Sequence, residues 1–110
     1  MTKQINMNFK KLRELSKISQ ETMAQYLNMD QSNIAKFESG ERSLKMLDLE
    51  KACYLLGCRI DDLLHEDVKP VIVASFRKEK LNAQTLSDIA IIHKLALNIV
   101  EMEELLTNEE

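Results

Sequence analysis

The chain has 110 residues, which is enough for one compact domain or a smaller domain with an appended element, and excludes two large catalytic domains. Charged residues make up 30% and hydrophobic residues 45%, a globular composition, and only two glycines and one proline favour a mostly helical fold. The formal net charge of -3 argues at first against an acidic polymer as partner, because phosphate contacts dominate nucleic-acid affinity.

That charge is distributed unevenly about Pro70. Residues 1–64 carry ten Lys+Arg against nine Asp+Glu, a net of +1, whereas residues 65–110 carry five against nine, a net of -4. The first nineteen residues are locally basic, with five basic residues against one acidic residue. We therefore divide the chain into a head (1–64), a joint (65–70) and a tail (71–110).

The sequence lacks recognisable motifs for metal binding, catalysis or membrane insertion, which disfavours those classes of function. Cys53 and Cys58 are expected to be small buried side chains, and His65 and His93 do not complete a zinc site with them. Without a glycine-rich phosphate loop or a catalytic constellation, we expect no enzyme, no metal and no cofactor. No secretory signal or membrane-spanning stretch is recognisable, so a cytoplasmic protein without membrane association is expected.

Turn signals divide the head into five short helices. The predicted helices are one from near Asn8, one over Gln20 to Leu27 after the N-cap Ser19, one from the N-cap Asp30 through Glu38, one from about Lys45 to Leu56, and a short turn from Ile60 to Leu64. Asn28, Gly40 and Gly57 follow three of them, where a left-handed residue is favoured. Apolar spacing places Phe9, Leu12, Ile34, Phe37, Met46, Leu49, Cys53 and Leu56 on inner faces.

The second and third helices are separated by only three residues, which predicts helix-turn-helix geometry. The alternative interpretation is an ordinary helical hairpin with no nucleic-acid role. Ala24 is small where the two helices approach each other, and the outer face of the third helix carries Gln31, Ser32, Asn33 and Lys36. Glutamine and asparagine pair with adenine edges and lysine favours guanine acceptors, so this face suits the major groove.

The segments Gln20 to Leu27 (QETMAQYL) and Asn33 to Arg42 (NIAKFESGER), closing with Gly57 and IDDLL, resemble the lambda-repressor-like, Xre-type helix-turn-helix family. The resemblance covers residues 8–64 and implies an all-α, five-helix domain that binds double-stranded DNA. Lys17 and Asn28 stand where the family often has glycine, so strained turns are expected at both.

The resemblance also implies roles for individual residues. Gln31, Ser32 and Lys36 would face bases, and Gln20 would touch a phosphate at the start of the second helix. Asn33, Ser39 and Arg42 would contact the DNA backbone. Arg13 and Glu38 would form a structural ion pair between the first and third helices.

The tail is predicted to contain a strand or extended segment over residues 71–76 and a long helix from Ala83 to about Leu106, capped by Asn82. The segment could pair with its copy in a second chain or pack as plain extended structure. One apolar stripe of the helix comprises Ile92, Leu95, Ile99, Met102 and Leu106; the other comprises Leu86, Ile89, Ala90, Ala96, Leu97 and Val100.

One stripe can cover the chain's own core, and the other then needs a partner. A second copy is the simplest partner, because most oligomers are two-fold dimers. We therefore predict homodimerisation through Val71, Val73, Phe76, Ile92, Leu95, Ile99, Met102 and Leu106. His93 is expected to be a partly buried interface histidine, with a pH switch as the alternative.

These features together predict a dimeric, sequence-specific DNA-binding transcriptional regulator. Repression is favoured because no activation surface or ligand domain is recognisable, and the third helix would read a palindromic operator in the major groove. The alternative is an antitoxin or mobile-element repressor whose C-terminal tail binds a toxin or an antirepressor protein.

Overall fold

The computed structural model describes residues 2–68 and 83–108, and within these ranges the regular structure is entirely helical. The elements are α1 (Thr2–Leu15), α2 (Gln20–Leu27), α3 (Gln31–Ser39), α4 (Met46–Leu56), a 3-10 helix (Ile60–Leu64) and α5 (Ala83–Asn108). The predicted all-α fold, with short helices followed by one long helix, is confirmed. The predicted strand with Val71, Val73 and Phe76, and the cap Asn82, lie outside the described residues.

Capping side chains and residues with left-handed backbone conformation define where the short helices begin and end. The Ser19 hydroxyl accepts the Thr22 N–H at 3.0 Å and so caps α2. Asn28 follows α2 with φ 58°, and Gly40 follows α3 with φ 87°, which are left-handed conformations that free the chain to turn. Lys17 also has a positive φ of 59°, so the turn after α1 places a side chain where glycine is favoured.

Two predictions about the helices of the head are wrong, one about where α1 begins and one about the inner face of α4. α1 begins at Thr2 rather than near Asn8, because Ile5 packs against the core and Asn6 is buried, so the helix continues upstream of the periodic apolar residues. Met46 is 64% exposed rather than inward. It is the first residue of α4, and the inner face of that helix starts only at Leu49, which is buried.

The core of the head is formed where α1 meets α3. The rings of Phe9 and Phe37 meet edge to face with centroids 5.0 Å apart. Asn8 ties α1 to the far end of the head, since its amide donates to the carbonyl oxygens of Leu63 at 2.6 Å and His65 at 2.7 Å. Val68 is also buried in this core, so the packing of the head continues into the predicted joint.

α5 packs against α4 and α2 through one of its two apolar stripes. Leu86, Ala90 and Leu97 are buried against the head, and Ile89 is half-buried. The other stripe remains exposed to solvent. The stripe that covers the chain's own core is therefore the one that contains Leu86 and Leu97.

His93 belongs to this internal contact, so its predicted place in a subunit interface is wrong. Its side chain is 2% exposed, and Nδ1 lies 2.9 Å from the carbonyl oxygen of Tyr54 and 3.1 Å from that of Leu55. Because both neighbours are acceptors, Nδ1 carries the proton and donates it to the C-terminal turn of α4. The histidine thus provides a donor to carbonyl groups in the last turn of α4, one of which, that of Tyr54, also accepts the Gly57 N–H.

We expect truncation of the buried face of α5 to destabilise the head. Leu86→Ala removes a fully buried side chain and should lower the free energy of unfolding by about 2–5 kcal/mol, because a cavity remains. Leu47→Ala is the matched control, since Leu47 is 75% exposed and its loss should cost less than about 0.5 kcal/mol. Urea unfolding followed by circular dichroism measures both variants; equal stabilities would contradict the docking of α5.

Candidate nucleic-acid interface

The α2–turn–α3 unit is held together by short-range contacts. The Met29 N–H donates to the Ala24 carbonyl at 2.9 Å, which closes the turn over the end of α2. Ala24 is buried where the helices meet, and Ile34 and Phe37 fix the inner face of α3 on the core. The opposite face of α3 is therefore directed to solvent.

The three predicted base-contacting residues lie on that solvent-directed face. Gln31, Ser32 and Lys36 are all exposed. Gln31 and Ser32 occupy the first two positions of α3, and Lys36 follows one turn later. The structure thus brings an amide, a hydroxyl and an ammonium group to one exposed surface, where each can donate a hydrogen bond.

The residues predicted to contact the DNA backbone surround this surface. Gln20 is the half-buried first residue of α2. The Arg42 guanidinium donates to the Asn33 side-chain oxygen at 2.9 Å, which links the loop after α3 to the helix itself. The Ser39 hydroxyl donates to the Lys36 carbonyl at 3.0 Å, at the C-terminal end of α3.

Behind the surface lies a buried ion pair between α1 and α3. Arg13 Nε contacts Glu38 Oε2 at 2.6 Å and Arg13 Nη2 contacts Glu38 Oε1 at 2.9 Å, a bidentate arrangement. Arg13 Nη1 donates in addition to the Ile18 carbonyl at 2.8 Å. Both side chains are almost fully buried, so the pair depends on these hydrogen bonds to offset the loss of water.

Hydrogen bonds continue from this ion pair to the exposed face. Gln20 Nε2 donates to Glu38 Oε1 at 2.9 Å, and Gln31 Nε2 donates to Gln20 Oε1 at 2.7 Å. The amide of Gln31 is thereby oriented by a connected set of four side chains that begins at Arg13.

Sequence reasoning missed the two glutamine links. It paired Arg13 with Glu38 and assigned Gln20 and Gln31 separate roles, whereas the structure joins all four. A signal was present, because Gln20 and Gln31 are the first residues of two consecutive helices that pack together. Only the packing of α2 on α3 shows that these positions are within hydrogen-bond distance.

The N-terminus of α2 adds a positive electrostatic potential beside Gln20. Ser19 satisfies the N–H groups of Thr22 and Met23 through its hydroxyl and carbonyl oxygens. The N–H groups of the first helical residues, Gln20 and Glu21, point out of the helix end, where backbone dipoles favour an anion. This end of α2 is suited to a phosphate oxygen.

The two cysteines belong to a different part of the head. Cys53 and Cys58 are both free and buried, at the C-terminal end of α4. A hydrogen bond to Cys58, together with burial, raises the pKa of the Cys53 thiol. A thiol held in its protonated form is a weak nucleophile, so Cys53 acts as a core side chain, and Cys58 is buried beside it.

The match to known proteins covers the same region. A family model described as helix-turn-helix matches residues 9–63, half of the chain. Searches of curated proteins and of solved structures return no match. The matched segment contains the α2–turn–α3 unit and all four side chains from Arg13 to Gln31. In residues 2–68 and 83–108, no helix has the length and apolar character needed to cross a membrane.

We expect removal of one partner of the buried ion pair to destabilise the head strongly. Glu38→Ala leaves the Arg13 guanidinium buried without its carboxylate and should lower the free energy of unfolding by about 3–5 kcal/mol. Glu41→Ala, at an exposed position just after α3, removes the same charge and should change it by less than about 0.5 kcal/mol. Thermal and urea unfolding measure both; a stable Glu38→Ala variant would contradict the structural role of the pair.

Proposed function

Since the chain belongs to the Xre-type, lambda-repressor-like helix-turn-helix family of DNA-binding transcription regulators, we propose that it is a dimeric repressor of a palindromic operator. The observation that carries the proposal is the oriented amide of Gln31 on the exposed face of α3. A base-reading side chain needs a defined orientation, because an amide presents its donor and acceptor to a base edge in only one way.

Gln31 retains the groups needed to read adenine. Its Nε2 has two hydrogens, and the bond to Gln20 uses one of them. The second N–H and the free Oε1 can therefore pair with adenine N7 and the adenine amino group. Ser32 and Lys36 would contact neighbouring bases, with the Lys36 ammonium directed to guanine acceptors.

Phosphate contacts would place α3 in the groove. Gln20 donates one amide hydrogen to Glu38 and keeps a second for a phosphate oxygen, next to the N-terminus of α2. Asn33, Ser39 and Arg42 would contact the phosphates at the other end of α3. Because these contacts carry no base information, they would set the position of the head on the duplex.

Dimerisation would come from the exposed stripe of α5. Ile92, Leu95, Ile99, Met102 and Leu106 are each 57–66% exposed in the single chain. A symmetric pair of heads would reach two major grooves about 34 Å apart on one face of the DNA, which matches a palindromic site.

The low charge of the head bears on the strength of binding. With a net charge of +1, residues 1–64 can make few contacts to DNA phosphates that release counterions, although residues 1–19 are basic. We therefore expect weak non-specific binding and a shallow dependence of affinity on salt. Affinity for the operator would depend on base contacts and on dimerisation rather than on charge alone.

Removal of a base contact should weaken binding and relax the sequence preference. We expect Gln31→Ala and Lys36→Ala each to cost about 1–3 kcal/mol in operator binding. Gln4→Ala is the control, because the Gln4 amide donates to Asn8 within α1. Operators selected from random duplexes, followed by gel-shift titration, measure the effect. Unchanged affinity and preference in both α3 variants would show that this face does not read bases.

A charge in the exposed stripe should separate the subunits. Ile99→Glu places a carboxylate in the proposed dimer contact and should yield a monomer with much weaker operator binding. Thr107→Glu adds the same charge at an exposed position outside the stripe and should leave the dimer intact. Sedimentation equilibrium and gel shift measure the two properties.

The same measurement separates the proposal from the alternative in which the tail binds a toxin or an antirepressor protein. A wild-type chain that stays monomeric at micromolar concentration would contradict the homodimer. Its stripe would then be open to a different protein, and the antitoxin or mobile-element alternative would replace a simple repressor.

A further inference from the structure

The exposed stripe of α5 has the spacing of a coiled coil. Residues 92, 95, 99, 102 and 106 are separated alternately by three and four positions, which is a seven-residue repeat. In heptad notation, Ile92, Ile99 and Leu106 take a positions, and Leu95 and Met102 take d positions.

The end of α5 extends beyond the head. Leu97 is the last buried residue of the internal stripe, and every side chain from Glu101 to Thr107 is exposed. An ion pair of 2.7 Å between Arg59 Nε and Glu101 Oε1 holds the helix where it leaves the head. Beyond this ion pair, the exposed side chains from Met102 to Thr107 are accessible to a second helix.

We infer that α5 pairs in parallel with α5 of a second copy, as a two-stranded coiled coil over residues 92–106. The inference rests on the proposed dimer and adds its orientation. Among parallel coiled coils, β-branched isoleucine at a with leucine at d is the combination that favours two strands over three or four. Here two of the three a positions hold isoleucine, and both d positions hold unbranched-Cβ residues, Leu95 and Met102.

The available apolar area fits a second copy. Ile91 and Leu105 flank the stripe at g positions and are also more than half exposed. Each of these seven side chains carries on the order of 100 Å² of apolar surface. The stripe and its flanks thus offer several hundred Å² per chain, close to the roughly 800 Å² per partner of a standard interface.

The charges beside the stripe favour the parallel arrangement. In a parallel pair, Asn98 at g faces Glu103 of the partner subunit at e, so an amide meets a carboxylate and no like charges meet. In the antiparallel register that pairs Ile92 with the partner's Met102, Glu103 faces the partner's Ile89. That register would desolvate a carboxylate against apolar surface, which is unfavourable.

A parallel pair has a consequence for DNA reading. Its two-fold axis runs along the coiled coil, so both heads lie at the same end of the assembly. Their separation is then set by how each α5 docks on its own head, through the internal stripe and the pair of Arg59 with Glu101. The spacing of operator half-sites would follow from that docking.

Disulfide cross-linking distinguishes the two orientations. Ile92→Cys and Met102→Cys are made separately, at two stripe positions ten residues apart, and are oxidised mildly. In a parallel dimer each new cysteine faces its own copy, so each protein alone forms a covalent dimer. In an antiparallel dimer pairing Ile92 with the partner's Met102, the two copies of either cysteine are at least about 15 Å apart along the axis. The parent chain is the control, because its two cysteines are buried.

Mixing the two variants, with a size tag on one, gives the converse test. A heterodimer cross-linked between the two different positions requires antiparallel helices, since a parallel pair separates them by about 15 Å along the axis. Cross-links within each variant, with none between them, support the proposal. Cross-links only between the variants overturn the orientation but keep the dimer, and a dimer in solution without either cross-link overturns the coiled coil. A monomer in sedimentation overturns the proposed dimer as well.

Discussion

The buried ion pair between Arg13 and Glu38 joins the first helix of the head to the helix that carries the candidate base-reading residues. Two charges removed from water are costly unless their hydrogen-bonding capacity is met, and here both Glu38 oxygens and all three guanidinium nitrogens of Arg13 have partners. The position of α3 relative to α1 is therefore restricted to one geometry. The glutamines that extend the network transmit this restriction to the surface.

On the proposed function, this arrangement would separate affinity from specificity within a small head. The residues proposed to hold phosphates lie at the ends of α2 and α3, where helix termini and loops expose donors. The residues proposed to read bases lie on the middle and N-terminal part of α3, supported from behind by buried charge. A head with a net charge of only +1 can use such a design, because an oriented hydrogen bond discriminates between bases where charge does not.

The two sides of α5 have different surroundings, and the exposed side is the one proposed to form the dimer. One side is buried on α4, where His93 donates to carbonyl groups at the helix end, and the other is exposed and regularly spaced. The predicted pair of stripes was correct. The assignment of His93 to a subunit interface was wrong, because position along a helix does not indicate which neighbour covers it. Likewise, the early start of α1 could not be read from apolar periodicity, since the buried residue there is the polar Asn6.

By itself, the sequence determined the helical class, the limits of α2, the left-handed turn at Asn28 and the family of the head. These depend on local chemistry, on caps, turn residues and short-range spacing, which a linear chain displays directly. Only the tertiary structure decided that Gln20 and Gln31 join the Arg13–Glu38 pair, that His93 lies inside the head and that the Ile92 stripe is the one left exposed. These depend on contacts between helices distant along the chain, because packing angle and register decide which of several similar side chains meet.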